Sequence, residues 1–471
     1  MPDQKIKCPQ QVEHFLTLIL NDIHPELLPE WLYLMQLNHF SVSHHFLPRL
    51  IEKGKNPKLC NAIYSVIDAR GAWLIHQNPL WKSAYSTILE KNNLNDPNQQ
   101  KNNLQTWNLG KIDERVHALK NMRAHDPIAA LATLQLEWAK ESSENRSKLI
   151  TALEVNLSMN DEAFLEYTLD DSHRDVRGFV QFLLTKLPES KLVQRCKTIL
   201  QTLIRSEKRL FRAPKLEITL PELNASMQRD GIDQHQEQDL GPKLSLLVRL
   251  ISILPCNYWL NAWQISIQEL IQLIDIHEYR KAFFTGLLMS IARELYSLSS
   301  STEANPTTLS FYQHLLKHVV TSENLINFDR IPVTSFKLFD ATTQNEILES
   351  WLSSQIPSDH IPALIILCSN AIDTCNFIQI NQLSKKISPL FKQKMLNMLD
   401  AQKYYHHALY QHLRKLTLTV LNRSDIDELV NLAQNNHTES ALEKCLKECQ
   451  DIIIFRESMQ QAFLHPIDIK T

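Results

Sequence analysis

The stretch "DEAFLEYTLDDSHRDVRGFVQFLLTKLPES", Asp161 to Ser190, sets Asp170, Asp171 and Arg177 close together between two apolar helical segments. Neighbouring carboxylates beside a guanidinium can move protons, or they can cap a helix start whose N–H groups lack partners. Near the other end, His406, His407 and His412 crowd into "YYHHALYQHLRK". Two metal ligands on one helical face need i,i+4 spacing, and none of these pairs has it, so they read as ordinary histidines. Cys445 and Cys449 do share a face, but Leu442, Leu446 and Ile453 share it too. Free cysteine behaves as a small hydrophobe, so that pair reads as core.

A charged pattern with binding potential lies in "KLVQRCKTILQTLIRSEKRLFRAPK". Read as a helix, it puts Arg205, Lys208, Arg209 and Arg212 at i, i+3, i+4 and i+7, on one face opposite Leu192, Cys196, Ile199, Leu203 and Leu210. Such a face suits an acidic partner, a nucleic-acid backbone or a membrane surface. The plainer reading is a solvated face answered by acids of neighbouring helices. A second distinctive string is "RGAWLIHQNPLW", Arg70 to Trp81. There a long helix is expected to end at Trp73 and Leu74, with Pro79 restarting the chain and both tryptophans packing at a helix corner; a binding role for Arg70, Gln77 or Asn78 is the alternative.

Glycine is scarce, with seven in 471 residues. Phosphate-cradling loops and the nucleophile elbow of serine hydrolases need closely spaced glycines, which excludes those motif-bearing classes. The same scarcity argues for helices joined by plain loops and against a Rossmann or barrel fold. Net charge is −3, so no overall basic field draws the chain to nucleic acid. The eight cysteines are scattered, and the N-terminus lacks a signal-peptide pattern. No apolar run reaches the length of roughly 18 residues that a bilayer span requires. The expectation is a cytoplasmic protein with no membrane span, no metal and no cofactor.

The elements that must position these groups are helices. Leu59, Ile63, Val66 and Ile67 share one face, and Phe283, Phe284, Leu287, Leu288, Ile291 and Leu295 trace a broad stripe. "KLEITLP" is the one expected strand. Polar linkers at "EKNNLNDPNQQKNNLQ" and through 213–240 divide the chain into an N-terminal helical region 1–92, a helical array 106–212 and a C-terminal helical region 241–471. Within the array, the offset that carries Leu134 onto Leu165 also carries Trp138 onto Leu169, Arg146 onto Arg177, Leu149 onto Val180 and Leu153 onto Leu184. These are two copies of a helix–turn–helix unit. Asp171 or Ser172 then caps the second helix, and the acid–arginine cluster becomes a repeat corner.

"LEYTLDDSHRDVRGFVQFLLTKLP" resembles a HEAT motif. The succession "PRLIEKGKNPKLCNAIYSVIDARGAWLIHQNPLW", the repeat array, "RDGI" and "LVRLISILPCNYW" resembles an uncharacterised family of bacterial proteins with HEAT-like helical repeats. The resemblance spans roughly residues 40–300 and implies an all-α, armadillo-like array of stacked helix pairs, with a bacterial, cytoplasmic origin. It brings no catalytic residue. The expected function is therefore a non-catalytic scaffold or adaptor for another protein. The alternatives are a HEAT-like nucleic-acid binder, or a HEAT-like enzyme of the glycosylase or bilin-lyase kind.

Overall fold

The computed structural model describes residues 6–85, 88–89, 98–207, 215–232, 240–296, 306–321, 331, 333–355, 360–374, 387–400, 407–435 and 441–464. Helices dominate, and sheet among the described residues is confined to two two-stranded pairs. One is a parallel contact of Ile6–Lys7 with Phe40–Ser41; the other pairs Ile204–Glu207 antiparallel with Lys215–Ile218. The expected strand in "KLEITLP" is thus present. Its partner is the segment that the sequence assigned to the basic helix.

The chain separates into a terminal unit, Met1–Asp96 with Pro357–Thr471, and a central unit, Pro97–Ile356. The C-terminal helical region 241–471, in which the sequence also shows a break at "SLSSSTEANPTT", contributes to both units: its residues up to Ile356 group with the middle helices and those from Pro357 with the N-terminal ones. The reason lies in the last helix. Ala441–Leu464 lays Ile452, Met459 and Phe463 into one core with Val12, Leu16, Trp31, Phe40 and Leu47. The Phe463 ring meets Trp31 edge-on at 6.2 Å, and Phe15 meets Phe455 at 5.2 Å. Trp31 is fully buried and its indole N–H donates to the Val12 carbonyl at 3.0 Å, so the large apolar body is taken from water without orphaning its polar atom. Arg456 pairs with the buried Glu30 at 2.7 Å and donates to the Leu418 carbonyl at 2.8 Å.

In the same unit the helix Pro57–Val66 is shorter than its apolar period suggests. Ile67 turns extended at φ −82°, ψ 155°, and Asp68 starts a new helix, Ala69–Gln77, by accepting the Gly71 N–H at 2.9 Å. A capping aspartate therefore breaks the expected long helix well before Leu74.

The central unit opens with helix pairs whose ends are chemically punctuated. Asp126 caps Pro127–Trp138 by accepting the Ala129 N–H at 3.0 Å; Pro127 fits the first turn because its missing N–H would have had no partner there. Ser142 caps Ser143–Leu149, and Ser190 caps Lys191–Leu203. Leu134, Leu149, Leu153, Leu165, Val180, Leu184, Cys196 and Leu200 are all completely buried, so the repeat alignment marks core positions. The helices Pro242–Ile253 and Arg280–Tyr296 form a second dense packing, with Leu247, Leu250, Phe283, Phe284, Leu287 and Ile291 in the core.

Candidate functional site: the helix corners and the exposed face of the central unit

The acid–arginine cluster braces the chain. Arg177 Nη1 donates to the main-chain carbonyls of Asp171 at 2.7 Å and Ser172 at 2.9 Å. Arg146 Nη1 donates to the carbonyl of Glu141 at 2.9 Å. Both ends of that contact move by the repeat offset, from Glu141–Arg146 to Ser172–Arg177. The structure extends the period one step earlier than the sequence reading. The Arg115 guanidinium lies 4.6 Å over the Trp107 ring, and one offset later Arg146 lies 5.8 Å over Trp138. Arg115 pairs with Glu141 at 2.5 Å, and Arg146 pairs with Asp171 at 2.8 Å. Each arginine thus reaches an acid at the next corner. Asp171 also accepts the His173 N–H at 2.8 Å, but neither it nor Ser172 is the expected cap: the residue before Arg174–Thr185 is His173, and no side chain caps that helix start.

Sequence reasoning missed two further locks. Arg123 is completely buried and meets both oxygens of Asp161, at 2.9 and 3.0 Å, while donating to the carbonyls of Val155, Pro127, Leu153 and Asn156. A guanidinium whose nitrogens are all engaged by fixed acceptors is a clamp on the 153–161 loop. The second lock is "RDGI". Arg229 grips Asp170 at 2.8 and 2.9 Å and Glu166 at 2.8 Å, while Asp230 accepts from Arg195 at 2.6 and 2.8 Å. Arg195 also donates to Glu166 at 2.9 Å. Burial alone would raise the Glu166 pKa, but hydrogen bonds from Arg229 and Arg195 outweigh it and hold the carboxyl below its usual range. Gly231 closes the turn at φ 71°, where a Cβ would stand 2.1 Å from Gln181 Oε1. The motif itself is visible in the sequence; its partners Glu166 and Asp170, far back along the chain, are not.

The basic face meets a different fate. The helix ends at Leu203, Ile204 leaves it at φ −124°, ψ 120°, and Arg205 sits exposed in a strand opposite Glu217. The expected helical alignment through Arg205 is therefore corrected: antiparallel pairing with "KLEI" satisfies the backbone there. Lys208, Arg209 and Arg212 lie outside the described residues. Of the other bases in the stretch, Arg195 is consumed by acids, Lys215 pairs with Glu217 at 2.7 Å, and Lys197 lies 5.7 Å from the Tyr258 ring.

Several other polar groups are also held internally. Glu294 accepts the Cys256 N–H at 2.7 Å, the Thr308 hydroxyl at 3.1 Å and the Cys256 thiol at 3.4 Å; burial pushes that thiol far up, so it stays protonated. Arg293, beside a recess of about 520 Å³, donates to the carbonyls of Ser252 and Leu254 at the end of Pro242–Ile253. In the terminal unit, His412 contacts Ser369 Oγ at 3.0 Å, and the buried Cys445 and Cys449 turn their thiols to the Tyr410 and Arg414 carbonyls. His406 lies outside the described residues. Among the described residues no group of three His, Cys, Asp or Glu side chains is placed to hold a metal, and no helix is long and apolar enough to cross a membrane.

The outward side also carries large apolar side chains. Ile128 and Leu136 on Pro127–Trp138 are 61% and 76% exposed. Met159 and Tyr167, each one repeat offset later, are 46% and 72% exposed, and the exposed Ala132 and Ala163 stand between the members of each pair. The Trp138 and Phe164 rings meet edge to face at 5.2 Å, which sets the two stripes on neighbouring helices. At a rise of about 1.5 Å per residue, the Ile128–Leu136 stripe is about 12 Å long, while Met159 joins the second from the short 3-10 turn Met159–Asp161 that leads into Glu162–Thr168.

Comparison with known proteins gives one result. A family model described as a family of unknown function (DUF5691) matches residues 1–463. No curated protein and no solved structure matches.

Proposed function

We propose that this chain, which belongs to the DUF5691 family, is a non-catalytic scaffold or adaptor that binds another protein across a HEAT/armadillo-like stack of helix pairs. The observation that carries the reading is the doubled stripe, Ile128–Ala132–Leu136 and Met159–Ala163–Tyr167. Large apolar side chains left in water at equivalent positions of successive units are costly unless a partner covers them. Two neighbouring helices with apolar ridges offer the furrow into which an amphipathic helix lays residues at i, i+4 and i+8. The corners support this division of labour: acids and arginines direct their charge inside the stack, fixing its pitch, while the outer face is left for recognition.

The test is affinity capture with the full chain from the cells it comes from, with the triple variant Ile128→Ser, Leu136→Ser, Tyr167→Ser alongside. A stoichiometric protein retained by the parent and lost by the variant is the expected result. Equal retention by both, or no stoichiometric protein, overturns the proposal.

A further inference from the structure

The terminal unit carries a second outward face, and it has a charge sign. On Ala69–Gln77, Trp73 stays 58% exposed in place of packing at a corner with Trp81, and Leu80 in the following helix, Pro79–Ala84, is 67% exposed. Trp81 is held separately, its indole N–H donating to Glu52 at 2.7 Å. Arg70 stands one turn before Trp73 on the same face. Its guanidinium is positioned by His44 Nδ1 at 3.3 Å, and His44 is in turn fixed by Asp68 at 2.8 Å. Asp68 also caps the helix, so the arginine is set in place before any partner arrives.

From Arg49 to Lys82 there are six bases and two acids. Both acids are already engaged, the exposed Glu52 by Lys55 and the Trp81 indole, Asp68 by His44 and the Gly71 N–H. Lys82 is exposed and pairs with no carboxylate among the described residues. Lys55 is answered by Glu52, Lys53 by Asp22, and Arg49 turns to the Leu20 carbonyl and Asn21, so the positive charge beside the exposed tryptophan and leucine comes from Arg70 and Lys82. Arginine and tryptophan side by side are the residue types that dominate binding energy at protein interfaces.

We infer that the Arg70–Trp73–Leu80 face docks an acidic, apolar segment of a partner protein. A single-stranded nucleic acid fits less well, because its bases stack on successive aromatic rings, and here one aromatic is followed by the aliphatic Leu80. The face belongs to the terminal unit, so it stands independently of the stripe that carries the scaffold reading.

The experiment selects binders from a random 16-residue displayed peptide library on the full chain, then measures labelled peptides by fluorescence anisotropy. Enriched peptides should carry net negative charge with at least one large apolar residue. Their affinity should fall tenfold or more in Trp73→Ala and in Arg70→Glu, weaken with salt, and stay unchanged in Leu136→Ser/Tyr167→Ser. Both substituted side chains are exposed, and matching hydrogen-exchange protection of Pro57–Val66 checks that the variants fold. The inference is overturned if nothing is enriched, if enriched peptides lack negative charge, or if the variants bind them within threefold of the parent. Displacement of the peptides by a 16-nucleotide oligothymidylate overturns it in favour of nucleic acid.

Discussion

Replacing Asp161 by alanine leaves the Arg123 guanidinium sealed from solvent without its counter-charge. The pair is 0% and 2% exposed, and the carboxylate oxygens are engaged at 2.9 and 3.0 Å. Breaking one side of a buried pair costs about 3–5 kcal/mol, chiefly because the surviving charge cannot be rehydrated. The Ser158 N–H, which Asp161 accepts at 2.9 Å, loses its partner as well. Removing Arg123 instead orphans four carbonyls of the 153–161 loop and of Pro127, so Arg123→Met is costly in its own right. The double variant Arg123→Met/Asp161→Leu removes both charges, and its cost should fall short of the sum of the singles by about 2 kcal/mol or more. A chain of two units does not license a single unfolding transition. The assay is therefore native-state hydrogen exchange of the Ile112–His125 amides by mass spectrometry. At about 1.4 kcal/mol per tenfold, Asp161→Ala should lower their protection by roughly a hundredfold to several thousandfold. A change below about 1 kcal/mol, or additive single effects, would refute the claim that this clamp holds the loop.

Gly231→Ala forces a side chain into the left-handed region and against Gln181, and should cost about 2 kcal/mol or more, read as lost protection in Lys191–Leu203. Adding Gln181→Ala should restore only the clash component. Glu141 and Glu166 are held below the usual carboxylate range; for each, burial opposes the shift, and the arginine hydrogen bonds that outweigh it come from Arg115 and from Arg229 with Arg195. Their folded pKa values are depressed, so their contribution is fully present above the unfolded value of about 4.3. It is lost as pH falls through the depressed value, because the unfolded chain binds the extra protons first. Central-unit stability should therefore drop below about pH 4, less steeply in Glu166→Gln, and an unchanged slope would count against the network. Burial pushes the thiols of Cys196 and Cys368 up to about 12, so alkylation of the native chain near pH 8 should spare both while urea exposes them; mass spectrometry of the labelled peptides decides it. Arg146→Lys should lose about 1–2 kcal/mol despite keeping charge, since an ammonium cannot hold the Glu141 carbonyl, Asp171 and the Trp138 face together.

Much of the helix content was legible in sequence because apolar period and capping are local. Pro127 with Asp126, the matched core positions of the two repeat copies and the strand in "KLEI" all follow from patterns within a few turns of chain. The assignment of Asp171 and Arg177 to a corner was legible for the same reason. Local pattern failed where a distant segment overrode it. The basic residues around Arg205 have helical spacing, yet pairing with Lys215–Ile218 takes the backbone into a strand. Trp73 reads as packing with Trp81 at a helix corner, and only the burial of Ile67 and Ile75 on the other side of the turn shows that its face was left outside.

The sequence by itself determined that this chain is helical and which faces of its helices are apolar, since those properties depend on neighbours within a turn or two. The tertiary structure alone decided which charges meet: Arg123 with Asp161, Arg229 with Glu166 and Asp170. It alone also joined the final helix to the first. Such pairings depend on how long segments return to one another. The same acids and arginines would satisfy many alternative partners, and only simultaneous burial of the apolar faces selects one set.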